Sequence, residues 1–234
     1  MKRFYRQVTV EPDEGGWRVL LDGRGIKTAG ARPQTVPTRA LAEALAAEWD
    51  AQGEEIDPAA FKLRHLADYT IDIVAPARGK AIRGLLAYAE TDTLCYQAES
   101  REPLHLRQAE VWEPLIAAAE HRWDIHFERV GGVIHRQQPL TTLTRMEAVL
   151  ETHSDFDLSA LVLLASLSAS LIVGLAAVGG DIDADAETLW GAANLEEDWQ
   201  AELWGKDAEA AAHRARRLAD FAAAMRFAAL ARAS

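Results

Sequence analysis

Cysteine is almost absent from this chain, and so are the short motifs that carry nucleotide or hydrolytic chemistry. Cys95 is the single cysteine in 234 residues, which excludes an internal disulfide and favours a reducing compartment. Because Cys95 has no nearby acid–base cluster, we interpret it as a small buried hydrophobic residue. The sequence contains no GxGxxG, GxxxxGKS/T, HExxH, GxSxG or CxxC pattern. We therefore expect no bound nucleotide and no other cofactor.

Basic residues are also in short supply. The chain has 25 Lys and Arg against 36 Asp and Glu, which gives a formal net charge of −11. Nucleic acids and anionic membrane surfaces are bound through clustered cations, so this charge disfavours both as partners. Hydrophobic residues make up 49% and charged residues 26% of the chain, a composition typical of folded globular proteins.

A single run, residues 161–178, is hydrophobic enough to suggest a membrane helix. It lies at the short limit for a spanning helix, contains three serines and a glycine, and has acidic flanks without a Lys or Arg bias. We therefore predict no membrane insertion. The run instead indicates a helix over 157–178 that is buried in a helical bundle, with Asp157 as its N-cap and Gly179-Gly180 at its end.

Most strand-like patterns lie in the first third of the chain. Asp22, Gly23 and Arg24 form a strong hairpin-turn signal. Together with Lys27 this turn could bind an anion, although a hairpin with exposed cations is the simpler interpretation. Alternating or apolar runs predict short strands at residues 4–10, 17–21, 25–28 and 34–36.

Helical periodicity begins after Pro37 and continues to the C terminus, with one further short strand expected at 125–130. Thr38 is the expected N-cap of the first helix, Asp57 that of the second, and Pro114 is expected to break or kink the fourth. The predicted helices are 40–52, 61–74, 77–89, 103–123, 144–153, 157–178, 184–204 and 207–230, the last capped by Asp207.

Strands followed by helices indicate an α+β fold with segregated parts. We predict a small N-terminal β-rich domain at residues 1–37, with residue 57 as an alternative boundary. A larger α-helical bundle domain is predicted at residues 58–234.

The stretch 181–205 combines eight acidic residues with three tryptophans and contains no Lys or Arg. A carboxylate inside an apolar stripe is costly unless it is paired, so one interpretation is an amphipathic helix with Lys or Arg partners elsewhere. Spacing alone favours that interpretation. The other is that the carboxylates and aromatic rings bind a second molecule. Projection of one continuous helix gives an apolar face made of Leu189, Ala193, Leu203 and Trp204. On this projection Glu196 falls between Leu189 and Leu203. Glu197 falls between Trp190 and Trp204.

An alternative functional site is a row of polar residues in the second predicted helix. His65, Asp68 and Asp72 have the spacing i, i+3, i+7 and would share one helix face. Such a trio could hold a divalent metal or carry out general acid–base catalysis. Because Arg64 and Lys62 are close, a structural hydrogen-bond cluster is the commoner explanation. A protein-interaction module with some other client is a third alternative.

Four blocks of sequence, in order, resemble a single family. They are KRFYRQVTV with VLLDGRGIKTAG, then VPTRALAEALAAEWDAQGEEIDP, then ETDTLCYQAESREPLHLRQAEVWEPL, and finally NLEEDWQAELWGKDAEA. These blocks are similar to the assembly chaperone of the F-type ATP synthase catalytic head, the factor that handles its α subunit. The similarity runs from residue 2 to about residue 210.

The resemblance implies a protein that is not an enzyme. Its family binds the newly made α subunit, shields the surface that later meets β, and has a small β-rich domain before a helical one. The important acidic position of the family lies in the LEEDWQ motif, which corresponds to Glu196 or Glu197, with Glu197 the better match. With Trp190 and Trp204 these residues form the expected partner-binding surface, while Trp199 is expected to pack inside the bundle.

Other motif positions carry structural expectations. Trp49, in AEWDAQ, matches a family position and is expected to anchor the first helix against the bundle. The chain departs from the family at Ala29, where proline is common, and at Asp68, where asparagine is usual. A mitochondrial member would carry a presequence, whereas this chain begins almost directly at the similarity. We therefore expect a bacterial cytoplasmic protein, with organellar relatives in the mitochondrial matrix.

Overall fold

Short strands near the N terminus precede a larger helical part, so the predicted α+β fold class is confirmed. The structure, a computed structural model, describes residues 1–132, 134–179, 184–205 and 208–233. The strands are β1 (Val8–Asp13), β2 (Gly16–Leu21), β3 (Arg24–Gly25), β4 (Thr35–Val36), β5 (Tyr96–Gln97) and β6 (Val130–Gly131). The helices are α1 (Arg39–Asp50), α2 (Lys62–Tyr69), α3 (Arg78–Glu90), α4 (Pro103–Trp123), α5 (Leu140–Glu151), α6 (Asp155–Ser168), α7 (Leu171–Gly179), α8 (Ala186–Ala193), α9 (Leu195–Trp204) and α10 (Ala208–Arg232).

The chain forms two compact units. The first contains residues 1–78, 154–160 and 223–233, and the second contains the described residues of 79–153 and 161–222. Within the first unit the Thr38 hydroxyl donates to the Leu230 carbonyl at 2.6 Å, so a C-terminal segment packs with N-terminal elements. The compact units are thus assembled from separate parts of the chain, whereas the predicted domains at 1–37 and 58–234 are continuous.

The sheet of the first unit is built on a tight hairpin. β1 and β2 pair antiparallel, and β2 pairs with both β3 and β4. Between β2 and β3, Asp22 and Gly23 have φ of 49° and 76°, the conformation that a two-residue hairpin requires. The Asp22 carboxylate accepts hydrogen bonds from the backbone N–H of Arg6 and Gln7. The hairpin predicted from Asp22, Gly23 and Arg24 is therefore confirmed.

Helix α1 begins as predicted, because the Thr38 hydroxyl accepts a hydrogen bond from the Leu41 N–H at 3.1 Å. The next predicted helix, over 61–74, is only partly right. Asp57 caps a short 3₁₀ turn at Pro58–Ala60, α2 then covers Lys62–Tyr69, and a π-helical turn covers Thr70–Val74. The change in helical pitch after Tyr69 removes the regular spacing on which the predicted face depended.

Helix α4 runs without interruption through Pro114, so the predicted break is wrong. Proline deprives the preceding turn of one N–H donor. Pro114 lies on the exposed side of α4, where water can bond the carbonyl group that loses its donor. On the opposite side Trp112 and Ile116 are fully buried, and their burial stabilises the continuous helix.

A small parallel pair, β5 with β6, lies within the helical unit. The predicted strand at 125–130 is displaced to Val130–Gly131, and its partner at Tyr96–Gln97 was not predicted. Arg129, which precedes β6, donates to the Glu113 carboxylate at 2.9 Å and also to that of Glu120. These ion pairs hold the approach to β6 against α4.

The long hydrophobic run forms two helices, so the single helix predicted over 157–178 is wrong. Helix α6 ends at Ser168, Ala169 has φ of 50°, and α7 begins at Leu171. The start of α7 is fixed by Asp92, which is completely buried and accepts a hydrogen bond from the Ile172 N–H at 2.9 Å. Such a cap supplies acceptors for N–H groups that have no partner inside the helix.

Other features of that run can also be compared. Helix α6 begins at Asp155, two residues before the predicted Asp157 cap, and the predicted stop at Gly180 lies outside the described residues. Cys95 is fully buried, as predicted, and burial raises the pKa of its thiol. None of the helices in the described ranges is long and apolar enough to cross a membrane.

The helix predicted over 184–204 is also divided, into α8 and α9. Its Asp185 cap accepts a hydrogen bond from the Thr188 N–H at 2.8 Å, but Asn194 has φ of −108° and ψ of 21° and ends α8. The buried indole of Trp112 donates to the Ala192 carbonyl at 2.8 Å, one of the carbonyls that the end of α8 leaves without a helical partner. The Asn194 amide donates to the Trp190 carbonyl at 2.8 Å. Asp207, the predicted cap of the last helix, lies outside the described residues.

The buried Asp92 predicts a pH-dependent stability. Desolvation raises its pKa from 3.8 to about 6, so its protonated form is favoured by folding and its contribution to stability falls as pH rises from about 4 to about 6. Relative to Asp92→Asn, the wild-type free energy of unfolding should fall by up to about 3 kcal/mol across this range. Urea unfolding at several pH values measures the difference. Parallel pH profiles for the two proteins would contradict the assignment.

The hydrogen bond of the Trp112 indole should contribute to the free energy of unfolding at the junction between α8 and α9. Trp112→Phe removes the donor to the buried Ala192 carbonyl and should lower the free energy of unfolding by about 1–3 kcal/mol. Trp199→Phe is the matched control. Because Trp199 is partly exposed, this substitution should lower the free energy of unfolding by less than about 1 kcal/mol. Equal losses in urea unfolding would show that the hydrogen bond has no special weight.

Candidate functional site

The break at Asn194 changes the surface that the sequence predicts for residues 181–205. One continuous helix would place Leu189, Leu203 and Trp204 on a common face, but these residues belong to two helices with separate axes. Leu189 is buried, whereas Leu203 is 61% exposed and Trp204 is 79% exposed. The single-face projection is therefore wrong, and the site has to be built from α9 alone.

Glu196, in the first turn of α9, is held by a residue of α4. Its carboxylate accepts a hydrogen bond from the Gln108 amide at 2.7 Å, and Gln108 itself is completely buried. The side-chain carbonyl of Gln108 accepts a hydrogen bond from the Ala98 N–H at 2.7 Å, so both polar atoms of the Gln108 amide have partners that fix its orientation. Partial desolvation raises the pKa of Glu196, while the Gln108 hydrogen bond acts in the opposite direction.

Two further acids of α9 have cationic partners. Asp198 pairs with Arg214 of α10 at 2.7 Å, and Glu202 lies 3.4 Å from Arg107 of α4. The Arg107 guanidinium also lies 6.0 Å from the centre of the Trp199 ring. Trp199 is only partly buried, so its predicted packing inside the bundle stays a prediction. For Asp198 and Glu202, the interpretation of an amphipathic helix with Lys or Arg partners elsewhere is therefore correct.

Glu197 differs from the other acids of α9. Its side chain is exposed, and no hydrogen bond or ion pair with its carboxylate occurs in the described part of the chain. Glu196, Asp198 and Glu202 all have such a partner. Among the described residues, Glu197 is thus the one carboxylate of α9 without a partner, which leaves it available for another molecule.

The end of α9, the helix that carries Glu197, has exposed apolar side chains. Leu203 and Trp204 are the last two residues of α9, and both side chains are largely exposed. Leu106, which precedes Arg107 on α4, is 71% exposed. Large exposed apolar side chains beside a free charge are common where proteins bind partners. We define the α9 surface as Glu197, Leu203 and Trp204.

Trp190 does not fit the partner-binding role predicted for it. Its side chain is 2% exposed, its ring centre lies 5.7 Å from that of Phe221, and the Arg217 guanidinium lies 5.4 Å from its ring. The carboxyl-terminal turn of α8 carries Trp190 into the core, because apolar rings of this size gain most by complete burial. At 2% exposure it offers almost no surface to a partner in this structure.

The predicted structural motif lies in the first unit. Trp49 is 5% exposed, and its ring centre lies 5.5 Å from that of Tyr5 and 4.5 Å from that of Phe61. The Tyr5 hydroxyl donates to the Trp49 carbonyl at 2.6 Å. These partners belong to the same unit as Trp49, and its anchoring role against the bundle stays a prediction.

The face predicted from His65, Asp68 and Asp72 is not formed. Asp72 accepts hydrogen bonds from the Thr28 hydroxyl at 2.8 Å and the Gly30 N–H at 2.7 Å. His65 is exposed, whereas Asp68 is buried.

The partners of Asp68 explain why it is buried. Asp68 accepts from the Gln34 amide and lies 3.8 Å from Arg64, and desolvation raises its pKa. Within the described residues, no group of three His, Cys, Asp or Glu is placed to hold a metal ion. Asp68 and Asp72 thus tie α2 and the turn after it to the loops that flank β4.

The partners of the α9 acids were not predicted from the sequence. Gln108 and Arg107 lie on α4, far from α9 along the chain, and Arg214 lies on α10, the next helix. Their local sequence gives no signal, because each pairing depends on how three separate helices pack. The α9 surface could be predicted only as an acidic, tryptophan-rich segment.

Comparison with known proteins gives concordant results. Residues 2–120 match the model of the family described as ATP12 chaperone protein. Protein atp12, mitochondrial, from Schizosaccharomyces pombe is 25% identical over 216 residues, which cover 87% of this chain and 74% of that protein.

Solved structures agree over nearly the whole chain. Atp12 from Paracoccus denitrificans has 41% sequence identity and a TM-score of 0.93, with 99% of this chain and 98% of that chain covered. An aspartate-to-lysine mutant of that protein gives the same identity, coverage and TM-score. The family match spans half of this chain, and the structural match spans almost all of it. The chain therefore belongs to the ATP12 chaperone family.

Proposed function

We propose that this protein binds the unassembled α subunit of the F-type ATP synthase catalytic head and shields the surface that later meets β. Membership of the ATP12 chaperone family supports a chaperone role in ATP synthase assembly. Two points of the proposal are more specific than this role: that the client is the α subunit, and which surface of the protein contacts it. The α9 surface is our candidate for that contact.

The observation that carries the site is the unpaired carboxylate of Glu197. The fold supplies partners to Glu196, Asp198 and Glu202, but in the described residues it supplies none to Glu197. An exposed carboxylate with no partner can form a charge-assisted hydrogen bond or ion pair with a client without first breaking an internal one.

The apolar residues of the α9 surface fit a chaperone that covers an interface before assembly. A subunit that later joins a ring exposes an apolar face until its neighbour arrives. Trp204 and Leu203 offer apolar area, and the ring of a tryptophan loses little conformational entropy when it binds. Glu197 would orient the client and speed its encounter more than it would add affinity. This division suits a contact that β must displace.

Glu196 has a supporting role in the proposed contact. Its carboxylate is hydrogen-bonded to Gln108, which fixes the first turn of α9 on α4. Because Glu196 precedes Glu197, that hydrogen bond limits how far the Glu197 backbone can move. The bacterial source of the solved relative supports a bacterial cytoplasmic setting, and the mitochondrial relative supports an organellar one for other members.

Charge reversal at Glu197 tests the proposal. Glu197→Lys should leave the fold intact, because no partner of its side chain occurs among the described residues. It should weaken capture of the α subunit by about 2 kcal/mol, or roughly thirtyfold in Kd, because the new lysine would repel the basic group that Glu197 is proposed to meet. The measurement is co-expression with the cognate α and β subunits, followed by pull-down and by assay of soluble α.

The matched control is Glu110→Lys. Glu110 is an exposed acid of α4 on the side away from Gln108, so its reversal changes the net charge equally without touching α9. Wild-type protein and Glu110→Lys should capture α but not β. Normal capture by a folded Glu197→Lys variant would refute the site. No capture of α by the folded wild-type protein would refute the proposed client.

A further inference from the structure

The first unit contains a cavity that the proposed α9 contact does not use. Its volume is about 720 Å³, within the range of cavities that bind ligands. The hairpin between β2 and β3, the N-terminal segment and the start of α2 contribute to its wall. We call it the hairpin cavity and define it by six of its lining residues: Phe4, Arg24, Lys27, Trp49, Phe61 and Arg64.

One wall of the hairpin cavity is aromatic. The ring centres of Trp49 and Phe61 lie 4.5 Å apart, and both residues are buried. The Arg64 guanidinium lies 4.8 Å from the Trp49 ring centre and 5.1 Å from that of Phe61. A guanidinium stacked on two rings is held in place and keeps its charge, so this wall combines apolar area with a fixed cation.

The rim of the hairpin cavity is cationic, although the protein as a whole carries a net charge of −11. Among the described residues, the side chains of Arg24 and Lys27 form no hydrogen bond or ion pair. The acid beside them, Asp22, accepts hydrogen bonds from the backbone N–H groups of Gln7 and Arg6, and these bonds together with the nearby Arg6 and Arg24 charges lower its pKa. Asp22 therefore carries one negative charge, against the two positive charges of Arg24 and Lys27. The charge at this opening is therefore complementary to an anionic occupant.

Two hydrogen-bond donors in the aromatic wall have no acceptor within the described part of the chain. Trp49 Nε1 and Arg64 Nε are buried donors without a partner in the described residues. A buried donor that lacks an acceptor costs free energy.

Exposed apolar residues continue the site beyond the cavity. Phe4 is 63% exposed, and Met1, which also lines the opening, is 78% exposed. A small ligand inside the cavity would leave them uncovered, whereas a polypeptide that enters the cavity could cover them as well.

We propose that the hairpin cavity binds an acidic, apolar segment of a client polypeptide. An apolar side chain of the segment would enter against Trp49 and Phe61, and neighbouring carboxylates would meet Arg24 and Lys27, because Arg64 already lies 3.8 Å from the Asp68 carboxylate. The identity of the occupant as a polypeptide rests on the proposed chaperone function. The position and charge of the site rest on the cavity itself.

A peptide array tests the hairpin cavity directly. Overlapping peptides that cover the cognate α and β subunits are probed with the full-length wild-type protein and with the charge-reversed variant R24E/K27E. Wild-type protein should bind peptides that combine acidic and apolar residues. The variant should bind these peptides about tenfold less, and the loss should shrink at high salt because the rim charges are exposed.

The control variant is K80E/R83E, which makes the same charge change at exposed positions of α3 that do not line the cavity. It should bind the array like the wild-type protein. If R24E/K27E does not fold, as judged by circular dichroism, R24Q/K27Q replaces it and should show a smaller loss.

The possible outcomes separate this proposal from the proposed function. Equal binding by the rim variant and the wild-type protein would overturn the cavity site while leaving α capture untouched. A wild-type protein that captures whole α but binds no peptide on the array, or prefers basic peptides, would also overturn it. Peptide binding that depends on Arg24 and Lys27 would support the cavity even if the pull-down identified a client other than α.

Discussion

The hydrogen bond from the Trp112 indole to the Ala192 carbonyl determines where α8 ends and therefore where α9 can begin. A carbonyl at a helix end is costly to bury without a donor, and Trp112 supplies that donor from the centre of α4. Asn194 adds a second donor at the Trp190 carbonyl and turns the chain. If α8 continued into α9 as one helix, Glu196 and Glu202 would not meet Gln108 and Arg107 as they do.

Helix α4 consequently positions most of the paired acids of α9. It supplies Gln108 to Glu196 and Arg107 to Glu202, while α10 supplies Arg214 to Asp198. The exposed ion pairs contribute little stability singly, about 0–1 kcal/mol each. Their structural effect is that the α9 carboxylates which face α4 and α10 are already paired within the protein. In the described part of the chain, the exposed Glu197 carboxylate has no such partner.

Local chemistry made several features predictable from the sequence. The Asp22-Gly23 hairpin, the Thr38 cap and the order of strands before helices follow from residues a few positions apart. The two helix breaks at Ala169 and Asn194 could not be predicted, because their causes lie elsewhere in the chain, in Asp92 and Trp112. The spacing of apolar residues along one segment contains no information about such distant partners.

Dependence on distant partners also limited how well the site could be predicted from the sequence. The sequence singled out the acidic segment as the expected site, but the different environments of its acids depend on contacts with α4 and α10. Trp190 and Trp204 have similar sequence surroundings, yet one is 2% and the other 79% exposed. The break at Asn194 separates their environments, since it ends the helix that buries Trp190 and starts the helix that exposes Trp204.

The two proposed sites differ in charge, and this difference constrains the client. The α9 surface offers a carboxylate beside apolar side chains, whereas the hairpin cavity offers cations beside aromatic rings. A client that used both would need a basic and an acidic patch, each next to exposed apolar residues. Exposed charges add little affinity but exclude partners of like charge, so they would select the client while apolar burial held it. A chaperone built in this way can be specific and still release its client, because an incoming subunit has only to compete for the apolar area.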